Sequence, residues 1–194
     1  MPNKHALVYY NRGLSSVRRG DLDQAISEYT KAVELDPTLA EAYVSRGIVY
    51  ARKSNLDKAI FDYTKAIEIN REYAYAYVSR GIVYIEKGEL DRAIFDLTRA
   101  AEISPRNASA YCNRGIACIK KGTIEQAIYD LTRAIEIDPS LADAYNNRAL
   151  ANFLKGDYDR SWKDVHKVKE LGSEVSPKFL AELSSASPKK NERP

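Results

Sequence analysis

The chain has 194 residues, 44% of them hydrophobic, and 30 Lys and Arg against 27 Asp and Glu leave a formal charge of +3. The two signs are interleaved along the whole length, whereas a nucleic-acid binder gathers its positive charge on one face, so no nucleic-acid partner is expected. No stretch approaches the roughly 20 apolar residues of a membrane span. The start, MPNKHALVYYNRG, lacks the apolar core and small-residue cleavage site of a signal peptide, so the expected location is cytoplasmic, a trimmed secretory signal aside.

Taken in chain order, residues 1–5 read as an N-terminal tail, followed by five repeats at 6–39, 40–73, 74–107, 108–141 and 142–175. The repeats are marked by four series spaced 34 residues apart: Tyr9, Tyr43, Tyr77, Tyr111 and Tyr145; Gly13, Gly47, Gly81, Gly115 and Ala149; Ala25, Ala59, Ala93, Ala127 and Ser161; and Ala32, Ala66, Ala100, Ala134 and Val168. Stacked repeats of this length form solenoids, each burying its apolar face on the next. Within a repeat the apolar period is helical: Tyr43, Gly47 and Tyr50, then Leu56, Ala59, Ile60 and Tyr63. Gly20, Gly88, Gly122 and Gly156, with Ser54 in the second repeat, interrupt the pattern midway, where a left-handed residue ends a first helix. Asp21, Asn55, Glu89, Thr123 and Asp157 follow as capping positions, and Pro37, Pro105 and Pro139 stop the second helix. Each repeat is therefore a helix, a tight turn and an antiparallel helix, with Gly47 and Ala59 small enough for close approach. The first repeat is more polar on its outer face, with Ser15 and Ser16 where later repeats carry Val49-Tyr50 and Val83-Tyr84. Residues 176–186 read as a further helix, with Ser176 as cap, Pro177 in the first turn, and Phe179, Leu180 and Leu183 forming a stripe that lids the fifth repeat. Residues 187–194 read as a disordered tail.

These residues resemble the tetratricopeptide repeat, and the resemblance covers about residues 6–175 in five copies. Two departures stand out. Tyr fills the usual Trp place throughout, and Arg12, Arg46, Arg80, Arg114 and Arg148 fill the usual Leu place. The resemblance implies an all-α fold, a right-handed superhelical solenoid of five repeats with a C-terminal capping helix, similar to stand-alone bacterial members. It also implies a concave surface of first helices that takes an extended peptide. On that surface the apolar places are Val44, Val78, Ile48, Ile82, Ile116, Ile85 and Ile119, beside a polar series of Asn11, Ser45, Ser79, Asn113 and Asn147. The polar series is similar to the asparagine ladder of some family members, and Asn offers both donor and acceptor to a guest backbone. The cationic clamp of cochaperone members is absent, since its places hold Tyr10, Leu14, Ser45, Tyr75 and Ser79.

Catalytic constellations are lacking. There is no phosphate loop, no GxSxG and no HExxH, and His166 stands alone where Thr occupies the matching place of the other repeats. Cys112 and Cys118 lie six apart on one predicted helix, too far around it for a mutual disulfide, and read as packing residues. No enzyme activity, cofactor or metal is expected. The expected function is a protein–protein adaptor, acting as a monomer on a protein or peptide partner. The alternative is a self-associating scaffold that uses its ends or an aromatic stripe, Phe61, Phe95 and Tyr129, on the second helices. Finally, each repeat arginine precedes an acid by sixteen residues (Glu28, Asp62, Asp96, Asp130, Asp164), so five ion pairs across the hairpins are expected.

Overall fold

The computed structural model describes residues 3–187, so residues 188–194, expected as a tail, lie outside the described part. Among the described residues there are eleven helices and no strand. They sort into two compact units, residues 1–103 and 104–194. The N-terminal unit holds three hairpins: α1 (Lys4–Arg18) with α2 (Leu22–Leu35), α3 (Ala40–Arg52) with α4 (Leu56–Ile69), and α5 (Ala74–Lys87) with α6 (Leu90–Ile103). The C-terminal unit holds α7 (Ala108–Lys121) with α8 (Ile124–Ile137), α9 (Ala142–Lys155) with α10 (Tyr158–Glu170), and α11 (Pro177–Ala186).

Turn chemistry sets the hairpins. Gly88, Gly122 and Gly156 end their helices in the left-handed region, and Ser54 is forced there too, at φ 56°. Side-chain capping is sparser than the sequence suggests. Asp21 and Asp157 accept from the amides of Gln24 and Arg160, whereas the side chains of Asn55, Thr123 and Ser176 make no cap bond. At Asn55 and Thr123 the backbone carbonyl alone accepts the first helical bond. The first helix also begins inside the expected tail, because Asn3 caps it by accepting from the His5 amide while its own amide donates to Asp36 Oδ2. The repeat glycine serves a side chain rather than helix approach as such: a Cβ on Gly47 would stand 2.8 Å from Cε1 of Tyr63.

Four of the five ion pairs form, each a two-pronged fork. Arg80 donates through Nε to Asp96 Oδ2 at 2.7 Å and through Nη2 to Oδ1 at 2.8 Å, and Arg46–Asp62, Arg114–Asp130 and Arg148–Asp164 repeat the arrangement. The two departures from the usual repeat pattern are thereby linked, for the Tyr in the Trp place stacks on the Arg in the Leu place: the Arg80 Cζ lies 5.8 Å from the Tyr77 ring centre. The remaining prong ties one repeat to the one before it. Nη1 of Arg46, Arg80 and Arg148 donates to Thr30, Thr64 and Thr132. His166, exposed beside Trp162, holds that threonine place in the fifth repeat. The fifth pair, Arg12–Glu28, does not form. Arg12 lies over the Tyr9 ring instead, and the longer Glu28 side chain takes a bond from Gln24.

The last helix closes the fifth repeat as expected. Leu183 is fully buried among Tyr145, Trp162, Val165, Val168 and Val175, and Phe179 meets Phe153 edge-on with ring centres 5.6 Å apart.

Candidate peptide-binding faces

In the N-terminal unit α3 touches both α1 and α5, and in the C-terminal unit α7 touches α9, so each unit presents a face of adjacent first helices. The sequence places twelve candidate residues on these faces, and they differ in what they offer. Val44 and Val78 are 2% and 4% exposed, and Ser79 is also buried, so these three belong to helix packing and leave the candidate surface. The reason is stacking: the same stripe that faces outward over one turn is covered by the neighbouring hairpin over the next. Ile48, Ile85, Ile116 and Ile119 are half-buried, and Ile82 is 42% exposed. Among the polar series Asn11 is exposed, and Ser45 is half-buried near the Tyr29 phenol.

The C-terminal unit brings the clearest cluster together. Ser109, Cys112, Asn113 and Ile116 of α7 and Asp143 and Asn147 of α9 surround a cavity of about 250 Å³, with Asp138 and Leu141 at its edge. Both asparagines bond back onto their own helices: Asn113 Nδ2 donates to the Ser109 carbonyl and Asn147 Nδ2 to the Asp143 carbonyl, each at 2.8 Å. Neither Oδ1 has a partner among the described residues, so both acceptors are left open. Asp143 and Asp138 make the rim negative. The Ser140 hydroxyl and amide hold the Asp138 carboxyl below the usual carboxylate range. Burial pushes the Cys112 thiol up to about 12, which fits an inert packing residue.

A tyrosine cluster in the N-terminal unit went unread in the sequence. The Tyr10 and Tyr29 rings lie 5.8 Å apart, burial raises the Tyr29 phenol, and Tyr75 stands 53% exposed. The available signal was Tyr29 and Tyr63 at a place where the later repeats have Leu97 and Leu131. On the second helices, Phe61 and Phe95 of one unit and Tyr129 of the other are 57%, 64% and 58% exposed, so Phe61 and Tyr129 do not pack beneath the following helix of their own unit. Among the described residues no group of His, Cys, Asp and Glu is placed to hold a metal, and no helix is long and apolar enough to cross a membrane.

Comparison with known proteins accords with this architecture. A family described as TPR repeat matches residues 13–54, 81–122 and 115–156, and families described as tetratricopeptide repeat match 40–73 and 62–95. No curated protein matches the chain. Among solved structures, MamA is similar with a TM-score of 0.76 at 28% identity, covering 88% of this chain and 96% of its own. PilW, a type IV pilus biogenesis factor, gives 0.86 at 20% identity over 97% and 88%. YrrB, reported to have an unusual peptide-binding site, gives 0.72 at 24% identity over 93% and 91%.

Proposed function

Because the chain belongs to the tetratricopeptide-repeat family, a family of non-catalytic protein-interaction scaffolds, we propose that it is an adaptor whose first-helix faces hold an extended, partly apolar segment of a partner protein. The observation that carries this reading is the paired free acceptors of Asn113 and Asn147 beside Ile116 in the cavity between α7 and α9. An extended guest has amides to give such acceptors and side chains for an apolar floor. In the N-terminal unit Ile82, Ile48 and Ile85 supply that floor, with Ser45 and Asn11 beside them. The negative rim of Asp138 and Asp143 favours an apolar or basic guest over an acidic tail. The peptide-binding site reported for YrrB is consistent with a groove role, and the two free, buried thiols suit a reducing, cytoplasmic setting that cell fractionation would check.

The test is affinity capture from the source cells with the parent, Ile82→Asp, Asn113→Ala/Asn147→Ala and a Ser27→Asp control. Ile82→Asp places an unpaired charge in the floor and should deplete the captured partner at least tenfold, with helicity unchanged. Equal capture by parent and both groove variants would refute the reading. A second reading, self-association through the second helices, draws on the exposure of Phe61 and Phe95. It predicts a scattering mass that rises with concentration and falls in Phe61→Ser/Phe95→Ser.

A further inference from the structure

The repeat arginine has two faces, and the second is filled differently along the chain. In repeats 2 and 3 a tyrosine four residues later fills it, between two cations. The Tyr50 ring centre lies 5.9 Å from Arg46 Cζ and 5.3 Å from Lys58 Nζ. The Tyr84 ring centre lies 5.9 Å from Arg80 Cζ and 5.7 Å from Arg92 Cζ. The fifth repeat keeps both cations, as Arg148 and Arg160, and places Asn152 where the tyrosine would stand. Repeats 1 and 4 have Gln24 and Gln126 at the place of the second cation, so this combination occurs once.

Asparagine is too short to fill a tyrosine's space. A cavity of about 280 Å³ remains between α8, α9 and α10, bounded by Arg148, Arg160, Asn152, Ile128 and Lys163. Arg148 is stacked on Tyr145 on its other side, at 5.7 Å. Asn152 is only 2% exposed, and its Oδ1 has no hydrogen-bond partner among the described residues, while its Nδ2 points at Asp164. A buried acceptor left empty costs free energy that a donor from outside would recover. Cations on either side of a slot attract an electron-rich ring. A ring with a hydroxyl donor is a phenol.

We propose that the fifth repeat takes a tyrosine side chain of a partner protein into this slot, its ring between Arg148 and Arg160 and its hydroxyl donating to Asn152 Oδ1. The slot shares no residue with the asparagine pair of α7 and α9, so it stands or falls apart from the groove reading.

The probe is N-acetyl-tyrosinamide, titrated into the full chain and followed by NMR of the Asn152 side-chain amide and the Arg148 Nε–H. Saturable shifts are expected. N-acetyl-phenylalaninamide should bind about fivefold more weakly, the factor set by one hydrogen bond of about 1 kcal/mol. Asn152→Tyr should fill the slot from within, as in repeats 2 and 3, and abolish binding. Should that variant fail to fold, Arg160→Ser, at a side chain 72% exposed, removes one wall and should weaken binding severalfold. Absence of saturable shifts overturns the proposal. So does equal affinity for the two probes, binding that survives Asn152→Tyr in a folded protein, or unchanged affinity in Arg160→Ser.

Discussion

Restoring the family's usual leucine at Arg80 should damage this protein rather than improve it. Asp96 is 1% exposed, and both its oxygens accept from Arg80, whose side chain is itself 14% exposed. Arg80→Leu leaves that carboxylate buried without its counter-charge, a change that costs about 3–5 kcal/mol when one partner of a buried pair is removed. The partial exposure of the arginine puts the expected loss near the lower end, about 3 kcal/mol. Replacing both partners, Arg80→Leu/Asp96→Leu, removes the stranded charge and should recover most of the loss. Arg12→Leu, where no pair forms, should change stability by less than about 0.5 kcal/mol. Urea denaturation followed by far-UV circular dichroism gives the free energies. Hydrogen exchange on α5 and α6 locates them, because repeats can open separately. The reasoning fails if Arg80→Leu stays within about 1 kcal/mol of the parent, or if the double variant is no better than the single.

Leu183→Ala should cost about 2–4 kcal/mol, since the side chain is fully buried against the fifth repeat, and calorimetry should show the loss as a lower Tm. Ser54→Gly should raise stability by about 0.5–1 kcal/mol in the same assay, because the position is held at φ 56°. Acid sensitivity has identifiable sources: hydroxyl and amide donors from Thr38 hold the Asp36 carboxyl low, with the Asn3 amide, as Ser140 does for Asp138. A carboxyl lowered by folding adds stability that is whole above its ordinary value of about 4 and is lost as pH falls through the folded value. Asp36→Asn/Asp138→Asn should therefore flatten the dependence of Tm on pH between about 4 and 2, and an unchanged slope would place the acid sensitivity elsewhere.

The sequence made the hairpins legible because a period of 34 leaves every turn glycine, buried alanine and stacked tyrosine in register. The Arg–Asp forks were legible for the same reason: a spacing of sixteen crosses one tight turn, and only one side-chain length fits. Glu28 shows the limit, for one extra methylene lets Gln24 take the carboxylate and the fork is lost. The threonine that receives the third prong was present in register, yet its partner lies in the next repeat, beyond any argument confined to one hairpin. The candidate faces were less legible. Val44 and Ile82 look alike on a helical wheel, and only the lie of the neighbouring hairpin leaves one at 2% exposure and the other at 42%. Nor could periodicity show that Asn113 and Asn147 spend their donors on their own helices and keep their acceptors free.

The buried thiols have a practical consequence. Cys112 and Cys118 are the only cysteines, both on α7 in the fourth repeat, and Trp162 is the only tryptophan, buried in the fifth. A thiol reagent attacks the thiolate, and burial disfavours that form at both positions, so labelling quickens when their helix comes away. The labelling rate of the native protein is thus a clock for opening of the fourth repeat, while tryptophan emission times the fifth. Read together in one sample, the two clocks tell whether neighbouring repeats let go in concert or in succession.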